Sequence, residues 1–320
     1  MFKHMNIAII GAGLSGLACA DRLQMQGHRV QLFDKARGAG GRMSTRRIST
    51  EWGEVSFDHG AQYFTVRDAN FKTVVDQWQS SGAAAPWPVV GPDAWVGTPS
   101  MSAPIKWMAT RHDVTWSIRV EAIQRQDNGW VLRGEGAPHT CFDAVVIAVP
   151  AEQAAALLTP IQNDFATLAK ATVSSPCWTL MLSFASPLQT RTITLRDDAI
   201  IGWAACNSDK PARTGPQSWV IQASAAWSEK HLEDSPDAVQ AMLMQRFAEC
   251  LAVELPVPLI AATHRWRYAL SGNAGCSALY SPGSQLGVCG DWFLGPRVEC
   301  AWLSGQALGM MIGASAGKHL

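Results

Sequence analysis

Three glycines and one acid near the start of this chain carry its clearest chemistry. Gly11, Gly13 and Gly16 stand in G-x-G-x-x-G spacing within IAIIGAGLSGLACADRLQMQGHRVQLFDK, and Asp34 follows Gly16 by 18 residues. Such a set binds a dinucleotide. Gly11 makes the tight turn, Gly13 lets the backbone approach a pyrophosphate, and Gly16 lets helix and strand pack closely. A helix that starts here presents unpaired N–H groups and a positive dipole end to phosphates, and Asp34 can accept hydrogen bonds from a ribose hydroxyl. The elements that must position these residues are legible around them. Ile7 to Ile10 is an apolar strand run, Leu14 to Gln26 has helical periodicity, and Arg29 to Phe33 reads as a second strand.

Three further segments bear on which dinucleotide is bound. Gly40-Gly41-Arg42 offers backbone N–H groups and a guanidinium to a pyrophosphate, and Gly60-Ala61-Gln62 supplies a close-approach turn. Near the C-terminus a short strand, Leu286 to Cys289, runs into Gly290-Asp291. An acid there can hold the ribityl hydroxyls of a flavin, and a helix beginning near Val298 would point its positive end at the pyrimidine carbonyls. NAD has no ribityl chain, so FAD is the expected cofactor; the competing reading is that Asp291 only caps a turn. A second strand-linked G-x-G-x-x-G is absent, which argues against a separate NADPH lobe.

Composition narrows the class. With 320 residues, 48% apolar and 16% charged, the chain is long enough for two lobes with real cores. Basic and acidic residues balance at 26 each, which argues against nucleic acid or an anionic membrane as a main partner. No run of 18 apolar residues occurs, the first strand begins almost at once, and the eight cysteines are scattered without a C-x-x-C pair. A reduced, cytoplasmic enzyme without a leader is expected. No H-E-x-x-H or Cys/His cluster suggests a metal site. The 14 tryptophans suit core and flat pocket walls alike.

The pattern along the chain implies an α/β protein with two lobes. Asp68 to Trp78 is expected to be a helix capped by Asp68, Ser80 to Pro92 a linker or turn region, Ser102 to Thr110 a helix, and Val114 to Arg133 a hairpin turning at Asp127-Asn128-Gly129. Asp143 to Val149 is a strand apolar throughout, as in a parallel sheet. Helices are expected at Glu152 to Leu158, Asp164 to Lys170, Ser235 to Leu251 and Trp302 to Ile312. Trp178 to Phe184, Ile193 to Ala205 and Ser218 to Ala226 are strand-rich. A discontinuous Rossmann-type FAD-binding lobe is therefore expected over 1–75, 112–150 and 262–320, with an antiparallel-sheet substrate lobe over 76–111 and 151–261.

On these residues the chain resembles the flavin-containing amine oxidase superfamily, and within it the bacterial renalase branch most. The segments that carry the resemblance are IAIIGAGLSGLA, LFDKARGAGGRMSTRR, GAQYFTVRD, WVGTPSMSA, SPCWTLMLSFASPLQT, HRWRYA and VCGDWFLGPRVECAWLSGQ, which span nearly the whole chain. The resemblance implies a hydroxybenzoate-hydroxylase-like arrangement with noncovalent FAD. It implies an oxidase of misreduced dihydronicotinamides, in which a hydride passes from the NAD(P)H isomer to flavin, NAD(P)+ leaves, and oxygen becomes hydrogen peroxide. By matching motif, Gly11, Gly13, Ser15 and Gly16 would contact the pyrophosphate, Asp34 and Lys35 the adenosine ribose, and Gly41 and Arg42 the phosphates. Val120 would meet the adenine through its backbone, and Gly60, Ala61 and Gln62 would lie by the isoalloxazine. Asp291 would bind the ribityl chain and Val298 would offer an N–H to a flavin carbonyl. His59 and Cys300 depart from the family pattern.

Hydride transfer to flavin needs stacking and alignment more than a strong base. Tyr63, Trp178, Trp266 and Trp292 are the candidate walls, and His264 a candidate donor to the substrate's carboxamide or ribose; each could equally be a structural residue. The alternative is a flavin amine oxidase acting on a primary or secondary amine. That reading usually requires a lysine beside the flavin, and no lysine stands in a segment placed there by sequence. The expected partners are the small-molecule substrate and oxygen, with the protein a monomer or weak dimer.

Overall fold

The apolar run around Ile7 lies at the centre of a six-stranded sheet. In the computed structural model, which describes residues 4–51 and 53–316, the strand order is Leu279–Ser281, Leu286–Val288, Ala144–Ile147, Asn6–Ile10, Arg29–Asp34, Asp113–Trp116. All neighbours run parallel except the edge strand Leu279–Ser281. The continuous apolar character of the inner strands has a direct cause, since both faces are covered. Ile7 and Ile9 point into a core shared with helices Leu14–Met25 and Val298–Ala316 through Leu17, Leu308 and Ile312. Ala8 and Ile10 point the other way, into a core with Trp130, Leu132 and Phe142 of a small antiparallel sheet and Leu158 of helix Ala151–Leu158.

The two helices on the first face meet almost backbone to backbone. Gly305, Gly309 and Gly313 recur every four residues on the terminal helix, so they share one face. A Cβ on Gly305 would lie 2.2 Å from the Ser15 carbonyl oxygen, and on Gly309 and Gly313 it would strike the side chains of Arg22 and Gln26. Gly16 is constrained in the same way from within the motif, its Cβ position lying 2.0 Å from the Gly11 carbonyl oxygen.

The second lobe is a five-stranded antiparallel sheet ordered Thr194–Arg196, Ile201–Cys206, Gln217–Ala223, Ser175–Phe184, Ile260–Leu270. Alternation divides it into two faces. Trp178, Leu180, Leu182, Trp219 and Ile221 pack under helix Pro236–Leu251 with Val239, Leu243 and Phe247. The opposite face carries Met181 and Val220 against Val55 and Phe57 of the hairpin formed by Arg46–Thr50 and Gly53–Phe57.

The expected two-lobed α/β architecture is present, with local differences. Val114 to Arg133 is not one hairpin: Asp113–Trp116 joins the parallel sheet beside Arg29–Asp34, and only Ala122–Gln126 and Gly129–Arg133 pair across the Asn128 turn. The expected linker contains a strand, Ala84–Pro86, paired to Ala94–Gly97. Residues 76–111 send Trp78, Trp87, Trp95, Ile105 and Met108 into the core that holds Leu17 and Leu308, so they pack with the parallel-sheet lobe. The antiparallel sheet in turn runs past residue 261, because Ile260–Leu270 is its edge strand; THRWRYA lacks the apolar alternation that would have marked it. No helix of the described residues is long and apolar enough to cross a membrane.

Gly305→Ala is expected to force the two helices apart and cost about 1–3 kcal/mol of stability, the usual penalty of overpacking. Urea unfolding of the variant measures it, and unchanged stability would contradict the close approach.

Candidate functional site

The opening turn is built as an anion seat. Gly13 is the N-cap residue of helix Leu14–Met25, with no side-chain capping bond and no acid in the first turn. A Cβ on Gly13 would meet nothing within 4 Å, so the turn faces open space. Asp34 accepts the Ala12 N–H through Oδ2 and the Ala36 N–H through Oδ1, both at 2.8 Å, which fixes its carboxylate beside the turn. The loop leading to Val120 is tied to the same place, the N–H groups of Ser117 and Ile118 donating to the Ala36 and Asp34 carbonyls. Lys35 is exposed and donates to Gln153 at 3.0 Å. Ser15 is buried one residue inside the helix.

A second loop folds over the first. Gly41 approaches Gly13, its Cβ position 3.9 Å from the Gly13 Cα. Arg42 reaches across the fold to Asp291, with Nη2 2.7 Å from Oδ1. Asp291 follows Gly290 at the end of strand Leu286–Val288 and accepts the N–H groups of Leu294 and Gly295 through its carbonyl, which turns the chain towards the helix that starts at Val298. The Arg42 guanidinium has a second nitrogen, Nη1, that is buried with no hydrogen-bond partner among the described residues.

The Asp58–Gln62 turn sits between the two lobes. Ala61 N–H donates to the Arg42 carbonyl at 2.8 Å. The His59 carbonyl accepts from Thr179 Oγ1, Gln222 Nε2 and Trp266 Nε1, and the Gly60 carbonyl accepts from Gln222 at 2.7 Å. Gln62 spends its amide inward. Its Nε2 donates to the Asp58 and Gly60 carbonyls, and its Oε1 accepts from Lys210 Nζ at 3.2 Å.

Lys210 was not foreseen as a neighbour of this turn, since it lies 148 residues from Gln62 in sequence. Its side chain is wholly buried and shares Asp58 Oδ2 with Arg213, at 3.3 and 2.6 Å. Asp58 Oδ1 takes Thr45 Oγ1 and the Met101 N–H. Burial alone would raise the Asp58 pKa, but Lys210 and Arg213 outweigh it and hold the carboxyl at about 2. Burial draws Lys210 down to about 8, against the opposing attraction of Asp58.

The five expected rings, Tyr63, Trp178, His264, Trp266 and Trp292, are not placed alike. Register puts His264 opposite Thr179 and Trp266 opposite Cys177, on the face of the antiparallel sheet turned to the Asp58–Gln62 turn. There His59 stacks on Trp266 at 5.1 Å and meets His264 edge-on at 4.9 Å. Tyr63 packs at 5.3 Å from Trp203, a half-buried indole that the sequence did not single out. Trp178 pairs with Arg265 and so faces the other way, into the core under helix Pro236–Leu251. Trp292 is fully buried, stacked on Phe293 at 3.8 Å with its indole N–H directed to the Val149 carbonyl. Neither Trp178 nor Trp292 is a pocket wall here; both are core, because alternation and apolar neighbours turn them inward. Cys300 is also turned inward, its thiol near the Leu294 carbonyl. Glu299 accepts the Arg67 and Asp68 N–H groups at 2.7 Å each, which ties down the chain just before helix Ala69–Ser80, whose cap is Asp68.

The ring cluster is electrically distinctive. Burial first, then the charges of His264 and Arg46, press the His59 pKa down to about 4. Burial and Arg46 lower His264 as well. Arg46 lies opposite Phe57 in the hairpin register and is exposed, with no ion pair among the described residues.

These features fit FAD. The uncapped helix start at Gly13, the buried unpartnered Arg42 Nη1, the pre-set Asp34 and the buried Asp291 are what a pyrophosphate, an adenosine ribose and a ribityl chain require. Comparison with known proteins agrees. Residues 9–78 match an NAD(P)-binding Rossmann-like domain, and residues 89–305 match flavin containing amine oxidoreductase. A 4,4'-diapophytoene desaturase of Staphylococcus aureus (strain Newman) is 55% identical over 40 residues, 12% of this chain and 8% of that protein. Among solved structures, a putative protoporphyrinogen oxidase from Exiguobacterium sp. 255-15 superposes with a TM-score of 0.75 at 10% identity, covering 98% of this chain and 100% of the other. Cyclohexylamine oxidase from Brevibacterium oxydans IH-35A gives 0.72 at 13%, covering 99% and 100%. A redesigned putrescine oxidase gives 0.74 at 12%, covering 97% and 99%.

His59 provides a pH test. Its folded pKa of about 4 lies below the ordinary 6.5, so the unfolded chain takes up a proton first as pH falls, and stability is lost between those values. Relative to His59→Leu, the native protein should lose about 2 kcal/mol between pH 7.5 and pH 5. Urea unfolding of both proteins at the two pH values checks this; parallel curves would show His59 freely protonated.

Proposed function

We propose that the chain, which belongs to the flavin-containing amine oxidoreductase family, is an FAD-dependent oxidase of renalase type acting on misreduced NAD(P)H isomers. Held by the Gly13 turn, Asp34, Arg42 and Asp291, FAD would supply the redox chemistry, carrying a hydride equivalent from the dihydropyridine to oxygen, so that with one proton from solvent the products are NAD(P)+ and hydrogen peroxide. The observation that carries this reading is the charge around the His59, His264 and Trp266 rings. His59 and His264 are held neutral, Arg46 beside them has no ion pair among the described residues, and Asp58, the carboxylate next in chain, is buried and already bound by two cations. Such a setting favours a flat, neutral ring attached to phosphates and opposes an ammonium.

The side chains then have simple tasks. Trp266, Tyr63 and Trp203 offer flat apolar surface to a planar ring. His264, neutral, can donate to a carboxamide or ribose oxygen. Arg46 attracts the phosphates that accompany such a substrate. No side chain need remove a proton, because a dihydropyridine releases hydride without one.

A second reading, oxidation of a primary or secondary amine, has an observation in its favour. The cyclohexylamine and putrescine oxidases share the fold, and the buried Lys210 reaches the turn expected beside the flavin. One experiment separates the two. The purified protein is mixed anaerobically with a dihydronicotinamide mixture containing the misreduced isomers, and flavin absorbance is followed. Bleaching within seconds, with recovery and peroxide on admitting air, is expected. A flavin that stays oxidised with every isomer but bleaches with putrescine or cyclohexylamine would overturn the renalase-type reading.

A further inference from the structure

The buried charges beneath the Asp58–Gln62 turn are more than the proposed hydride transfer calls for. Lys210 and Arg213 converge on one oxygen of Asp58, and among the described residues neither is paired with a second carboxylate. Two cations against one anion leave an excess of one positive charge where side chains are at most 2% exposed. An unbalanced buried charge is unfavourable unless something answers it, and its field is weakly screened. The Trp87 ring, 5.6 Å from Lys210 Nζ, answers it in part. A strut needing only to tie the Lys210 loop to the turn would be satisfied by a single ion pair.

Gln62 shows where the charge is directed. With Nε2 donating to the Asp58 and Gly60 carbonyls and Oε1 facing the ammonium, its amide has one permitted orientation. A flipped amide would set its NH2 against the Lys210 ammonium. Lys210 thereby locks the carbonyls and N–H groups of the turn that Arg42 and Trp266 hold from either side.

We propose that Lys210 is a positioning residue for the flavin: it fixes Gln62 and, with Arg213, places one unit of positive charge beneath the turn, which favours the reduced, negatively charged cofactor. This rests on the reading above that the turn lies beside the isoalloxazine. The Lys210 pKa of about 8 keeps the ammonium charged at neutral pH.

The test is the midpoint potential of bound FAD at pH 7, measured against redox dyes with a chemical reductant in the native protein, Lys210→Met, Lys210→Arg and Gln62→Glu. Lys210→Met removes the charge, and Gln62→Glu cancels it at nearly constant size. Each should make flavin reduction at least tenfold less favourable, a potential lower by about 30 mV for a two-electron couple. Lys210→Arg, which keeps the charge, should stay close to the native value. Unchanged potentials in Lys210→Met and Gln62→Glu, with only thermal stability lowered, would overturn the proposal and leave the cluster a strut. If Lys210→Met does not fold, Gln62→Glu decides alone. The reductant is not the substrate, so this outcome is independent of whether dihydronicotinamide isomers reduce the flavin.

Discussion

Two backbones approach each other at Arg42 and Gly60 as closely as glycine allows, and the site depends on that contact. A Cβ on Gly60 would lie 2.1 Å from the Arg42 carbonyl oxygen. The same oxygen accepts the Ala61 N–H. On one side of the contact, Arg42 belongs to the loop that folds over the dinucleotide turn and pairs with Asp291. On the other, the carbonyls of His59 and Gly60 are gripped by Thr179, Gln222 and Trp266 of the antiparallel sheet. The parallel and antiparallel lobes are thus joined through one turn. The packing of the two lobes at this turn rests on hydrogen bonds that a side chain at residue 60 would break.

The charge arrangement follows from the same turn. Asp58 begins it and is neutralised by two buried cations, so the carboxylate nearest the ring cluster has no capacity left for a cationic ligand. His59 comes next and is held neutral by burial and by neighbouring positive charge. The setting is therefore aromatic and slightly positive. A protein whose cofactor supplies the redox chemistry needs mainly to orient the reactants and to set a suitable field, which are the tasks proposed above for this turn.

The local signals in the sequence proved reliable where one physical cause acted alone. The βαβ unit was legible because the glycine spacing, the helical periodicity and the acid at residue 34 all serve one geometry. Asp68 was legible as a cap, and it accepts the Asn70 and Phe71 N–H groups. Aromatic residues were harder, because indoles serve cores and pockets equally. Trp178 and Trp292 turned out to be core, whereas Trp203 is half-buried against Tyr63; strand register turns Trp178 inward, and the short turn Asp291–Phe293 does the same for Trp292, neither of which composition reveals. The strand Ile260–Leu270 was missed because its exposed, charged and aromatic positions hide any period of two. Lys210 and Arg213 carried no motif. Only the return of a loop some 150 residues away brings them to Asp58, and no local pattern encodes such a meeting.

Whether the Arg42–Gly60 contact assembles a flavin site is decided by the visible absorption spectrum of Gly60→Ala purified beside the native protein. The native protein is expected to carry FAD, and the variant to keep its far-ultraviolet circular dichroism while losing most of its flavin band. A variant with the same FAD content and an unshifted flavin spectrum would contradict it.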